Sequence, residues 1–79
     1  MKGLRVLIVD DEPLMRLSML DALEGVGCEV MAAATGTEGV TVLGTRQFDV
    51  VITDLRLPGA DGLTLLKVCK ERSPTTEVI

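Results

Sequence analysis

Three aspartates set the chemistry open to this chain. Asp10 and Asp11 follow an aliphatic run, LRVLIV, and Asp54 follows a second one, DVVIT. Both runs have the length and unbroken apolar character of strands buried on two faces, as in a parallel sheet. In such sheets ligands sit beyond the carboxyl ends of the strands, where successive connections leave for opposite faces. If the two strands are neighbours, their axes lie about 4.8 Å apart and their terminal carboxylates share one crevice. Carboxylates crowded there repel one another. A hard divalent cation relieves that repulsion, and Mg²⁺ suits a few carboxylates with open water positions. Taken singly, each aspartate reads equally well as a helix N-cap. An Asp-Asp pair and a distant Asp at equivalent strand ends are harder to explain as caps alone.

Composition removes most other chemistries. The chain has no His, so His nucleophiles, bases and metal ligands are excluded within it. It has one Phe and no Tyr or Trp, a poor basis for stacking on nucleic-acid bases. The net charge of −4 gives no electrostatic footprint for DNA or RNA. Cys28 and Cys69 form no CxxC and are read as buried thiols in a reducing cytosol, not as a secreted disulfide framework. No apolar run approaches the ~20 residues of a membrane span, and the amino terminus does not read as a signal peptide.

The elements that must position the aspartates alternate strand with helix. After the first strand (4–9), Pro13 sits well for a first helical turn. Met15, Met19, Ala22, Leu23 and Val26 predict the core face of that helix, with Leu14, Leu17 and Leu20 largely off it. Gly25 and Gly27 stop it. Residues 28–34 read as a second strand nearer a sheet edge. Thr35 and Glu38 form a capping-box signature ahead of a helix over 36–46, whose Gly39, Gly44 and β-branched residues leave it to be held by packing. Residues 49–53 form the third strand and 55–62 a loop. Asp61 can cap a third helix running through Leu63, Leu66 and Cys69 to about Arg72, broken by Ser73-Pro74. Glu77 opens a fourth strand. The expected fold is α/β: a doubly wound parallel sheet with right-handed crossovers, comprising about three βα units and the start of a fourth strand. Arg16 and Arg56 are expected to be solvated.

The segments VLIVDDEP and DVVITDLRLPGADGL, with LTLLKVCKERSPTTEVI after them, resemble the receiver domain of bacterial two-component response regulators, and most closely the nitrogen-regulator type. The resemblance covers the whole chain and implies a flavodoxin-like (CheY-like) fold. It implies that Asp54 is the phosphoacceptor for a sensor histidine kinase or phosphotransfer domain. It further implies that Asp11, Asp54 and the backbone carbonyl of Arg56 bind Mg²⁺ or Mn²⁺, with Asp10 reaching the metal through water. The implied protein is cytoplasmic and is not a turnover enzyme. Two rivals remain at this point: an interaction module with a vestigial acidic site, and an aspartate-nucleophile phosphohydrolase. The family's switch Ser or Thr and its Lys lie beyond the point where this sequence stops, so residues 1–79 are expected to be the amino-terminal part of a receiver. That expectation leaves part of one face of residues 6–9 and 50–52 uncovered, which predicts homodimerisation or other self-association of the fragment.

Overall fold

The computed structural model describes residues 3–53, 62–72 and 76–78. Along the chain run β1 (Arg5–Val9), α1 (Pro13–Gly25), β2 (Glu29–Ala33), α2 (Gly36–Leu43), β3 (Val50–Thr53), α3 (Gly62–Arg72) and β4 (Glu77–Val78). The strands form one parallel sheet in the order β2-β1-β3-β4. β2 is therefore at an edge, as its partly polar pattern predicts, and β1 and β3 are adjacent.

The continuous aliphatic character of β1 follows from burial on both faces. Leu7 and Val9 pack with Ala33, Leu43, Phe48, Val51, Leu65 and Cys69 beneath α2 and α3. Val6 and Ile8 point the other way, with Cys28, toward Met19, Leu20 and Leu23 of α1. Leu7, Ile8, Val9 and Val51 are completely buried. Each such side chain contributes roughly 1.5–3 kcal/mol of transfer free energy, so the adjacent strands anchor the domain. Leu65 and Cys69 of α3 are both completely buried. Their spacing of four places them on one helical face.

The helix ends are set by local chemistry. α1 closes in a Schellman arrangement: Gly27 N–H donates to the Glu24 carbonyl at 3.0 Å, and Cys28 N–H to the Leu23 carbonyl at 3.1 Å. This requires φ +93° at Gly27, which glycine adopts without a Cβ penalty. At α2 the Thr35 hydroxyl accepts from Glu38 N–H at 3.1 Å, and the Glu38 carboxylate accepts in return from Ala34 N–H at 2.9 Å. The reciprocal pair is the expected capping box, displaced by one residue on the return bond.

Two sequence expectations are corrected. The core face of α1 is Met19, Leu20 and Leu23; Met15 and Val26 are 53% and 56% exposed, and Ala22 is exposed as well. The helix packs on β1 and β2 through Met19, Leu20 and Leu23, so its buried stripe is narrower and rotated from the one the Met15-to-Val26 pattern suggests. α2 ends at Leu43, not 46, because Gly44 serves as its C-cap and Thr45 and Arg46 close the turn on the Val42 carbonyl. The face expected to be uncovered is open only in part: Val50 and Ile52 of β3 are half-buried there, against full burial of Val51 on the other face, whereas Val6 and Ile8 of β1 are buried beneath α1.

Candidate functional site

The register of the two central strands sets the site. Val9 of β1 lies opposite Thr53 of β3 and opposite Ala33 of β2, so the three strands end level. β1 connects through α1 on one face of the sheet, and β2 connects through α2 on the other. The crevice between β1 and β3 is thus the switch point of the topology, the position at which α/β sheets bind ligands. Asp10 is the next residue after β1, and Asp54 the next after β3. Asp54, Arg56 and the rest of the 54–61 loop, Asp61 included, lie outside the described residues.

On the β1 side the strand-to-helix turn is tightly specified. Asp10 N–H extends the ladder to the Ala33 carbonyl at 3.1 Å. One carboxylate oxygen of Asp10 accepts from Glu12 N–H at 2.8 Å, an Asx turn that reverses the chain. Glu12 is the N-cap of α1 but makes no side-chain cap; its carbonyl accepts from Arg16 N–H at 2.9 Å. Pro13 occupies the first turn, where its missing N–H costs nothing. Arg16 then reaches back one turn, and its Nη1 donates to the Asp10 carbonyl at 2.8 Å in a part-buried contact. The sequence suggests a solvated Arg16; the fold half-buries it and gives it this partner. The signal available in the sequence was an arginine placed three residues after a helix-starting proline, within reach of the preceding turn.

Asp10 is half-buried and Asp11 exposed at the mouth of this crevice. Among the described residues no three Asp, Glu, Cys or His groups cluster closely enough to hold a metal, so the described part supplies two carboxylates of the expected set. Their chemistry suits a hard cation. The donors are carboxylate oxygens, the chain has no imidazole, and both cysteines are buried in the hydrophobic clusters. That set fits Mg²⁺ or Mn²⁺ and disfavours Zn²⁺. One oxygen of Asp10 is committed to Glu12, which fits a carboxylate that addresses a cation indirectly.

The other end of the sheet is built differently. Asp49 accepts from Arg5 N–H at 2.9 Å, and Arg5 meets Glu29 at 3.4 Å across exposed surface. An open cavity there, of about 590 Å³, is lined by Met31, Phe48, Arg5 and Arg46 among others. Its lining comes from the first halves of β1 and β2 and from the connection between α2 and β3, and includes neither Asp10 nor Asp11.

Comparison with known proteins follows the same lines. The response regulator receiver domain family matches residues 6–79. The transcriptional regulator NtrC of Klebsiella pneumoniae is 42% identical over 72 residues, covering 91% of this chain and 15% of the relative. The CheY-like receiver domain protein of Methanospirillum hungatei superposes with a TM-score of 0.92 at 32% identity, over 98% of this chain and 62% of that one. The response regulator TrrA of Thermotoga maritima, solved in complex with Mg²⁺-BeF, gives a TM-score of 0.86 at 31% identity, over 99% and 66% of the two chains. The sequence thus spans a small part of its curated relative and under two thirds, or just about that, of these solved receiver chains.

Proposed function

Because the chain belongs to the response regulator receiver domain family, we propose that it accepts a phosphoryl group on Asp54, from a histidine kinase or phosphotransfer protein, at a site that uses Mg²⁺ or Mn²⁺. The observation that supports this reading is the level ending of β1 and β3, with Val9 opposite Thr53; Asp10 and Asp54 are the next residues in sequence after these two strands. In this reading residues 1–79 are the amino-terminal part of a receiver, and the protein is a cytoplasmic signalling component that undergoes one transfer without turnover.

Asp11, Asp54 and the Arg56 carbonyl would hold the cation directly, and Asp10 would hold it through water. When bound, the cation neutralises charge on the phosphoryl oxygens. The residues of the chain do the rest. A carboxylate oxygen of Asp54 attacks phosphorus in line, forming an acyl phosphate. The bond from phosphorus to the donor's imidazole nitrogen breaks, and the imidazole leaves with its electron pair. A carboxylate needs no deprotonation at neutral pH, so no general base is required. The exposed Leu14, Met15 and Leu17 on α1, beside the acidic turn, offer apolar surface on which a donor helix could dock.

Incubation with Mg²⁺ and acetyl phosphate tests the reading. An adduct of about 80 Da that appears in the intact chain, needs the cation and disappears in Asp54→Asn supports it. Continuous phosphate release without an adduct indicates a hydrolase, and neither outcome indicates an interaction module.

A further inference from the structure

The strand-to-helix turn carries one charged residue that the proposed phosphoryl chemistry does not use. Arg16 is half-buried and spends a guanidinium N–H on a backbone carbonyl, that of Asp10, at 2.8 Å. Among the described residues the only ion pair is Arg5 with Glu29, so Arg16 is not placed there by pairing with a described carboxylate. Its partner is the peptide group between the two aspartates. The peptide units on either side are held as well, by Asp10 N–H on the Ala33 carbonyl and by Glu12 N–H on the Asp10 carboxylate. The Asp10 carbonyl belongs to the peptide between these two, and its direction sets the torsion from which the Asp11 side chain departs.

We propose that Arg16 is a positioning residue for the cation site: by clamping the Asp10 carbonyl it fixes the Asp10–Asp11 peptide so that both carboxylates face the β1/β3 crevice. The inference rests on the cation-site reading given above. Its sign distinguishes it from plain electrostatics. A guanidinium near a cation site repels the cation, so loss of the charge alone tightens binding. Loss of a clamp loosens it, and groups that orient metal ligands typically alter affinity by 10–100-fold when removed. The contact is charge-assisted and directional, so a lysine, with one compact ammonium on a different stem, restores it only in part.

The test is Mn²⁺ titration of the full chain, followed by calorimetry, with backbone amide exchange measured alongside in the metal-free protein. Arg16→Gln should bind Mn²⁺ roughly tenfold more weakly, with Arg16→Lys between it and the unsubstituted chain. The Glu12 amide should lose protection while the amides of β2 and α2 keep theirs, which a general loss of stability would not produce. Unchanged or tighter Mn²⁺ binding in Arg16→Gln overturns the inference and leaves the cation site standing. Protection lost equally across β2, α2 and the turn also overturns it, since Arg16 is then a stability residue only. Absence of Mn²⁺ binding in the unsubstituted chain overturns the cation site and this inference with it.

Discussion

Two glycines in helices should respond in opposite directions to the same substitution. A Cβ at Gly39 would stand 3.0 Å from Cγ2 of Val9 and 3.1 Å from Cδ1 of Leu65, about 0.5–1 Å inside the optimal carbon–carbon separation. Val9 and Leu65 are both completely buried, so neither can swing into solvent, and Val9 is further restricted at χ1 by its branching. Overpacking of this kind costs about 1–3 kcal/mol. Alanine recovers about 1 kcal/mol of helix propensity, leaving Gly39→Ala destabilised by about 1 kcal/mol. At Gly25 a Cβ meets nothing within 4 Å, and its φ is not positive. Gly25→Ala should therefore be stabilising by about 0.5–1 kcal/mol. Urea unfolding of the two variants reads the difference, and a 1 kcal/mol change moves the thermal midpoint of a domain this size by about 4–8 °C. Leu65→Val removes the Cδ1 that Gly39→Ala would strike, so the double variant should be more stable than the sum of the singles by about 0.5–1 kcal/mol. Equal stabilisation by alanine at both glycines, or strict additivity with Leu65→Val, would refute the claim that α2, β1 and α3 meet at Gly39.

Other outcomes follow from single features. Thr35→Ala removes the hydroxyl that accepts from Glu38 N–H and should cost about 1 kcal/mol, seen as a lower urea midpoint at unchanged slope. Burial raises the Cys69 thiol above its ordinary value of 9.0, against the opposing effects of Lys70 and of the Thr76 hydrogen bond. The unfolded chain thus ionises first as pH rises, so stability should fall from about pH 9 upward until the folded thiol also ionises; Cys69→Ala should flatten that part of the stability profile whatever its effect at neutral pH. Leu14, Met15, Leu17 and Val26 are more than half exposed on or beside α1, and Val50 and Ile52 of β3 are half-buried. Sedimentation of the 79-residue chain at low micromolar concentration should show self-association, weakened by Leu14→Glu with Leu17→Glu; a monodisperse monomer of 8.4 kDa would contradict this.

What could be read from the sequence was whatever depended on pattern. An unbroken aliphatic run marked β1 as doubly buried, while β3, read the same way, is fully buried at Val51 and half-buried at Val50 and Ile52; the mixed run at 28–34 marked an edge strand, and Thr35 with Glu38 marked the start of α2. The alternation of strand and helix left open whether β1 and β3 are neighbours, on which the acidic crevice depends; the fold places them side by side. The rotation of α1 was not legible. Hydrophobic residues surround much of that helix, and its buried stripe depends on how far it overlaps β2 rather than on its own period. Gly39 reads as a poor helix residue in sequence and as a close-packing point in the fold, because the cost of a side chain there belongs to Val9 and Leu65. Arg16 was equally hidden: a solvated arginine and a backbone clamp have the same one-letter code, and only the path of the turn distinguishes them.

The central claim, that a divalent cation is held where β1 and β3 end, is tested most directly by following backbone amide resonances while Mn²⁺ is added at substoichiometric levels. The amides of Asp10, Asp11 and Glu12 and those just after Thr53 should broaden first and together, and Asp11→Asn should abolish the effect. Amides at the opposite end of the sheet, at Arg5, Glu29 and Asp49, should stay sharp although they neighbour two carboxylates. Broadening that begins at Glu29 and Asp49, or spreads evenly over all acidic residues, would contradict a strand-end site.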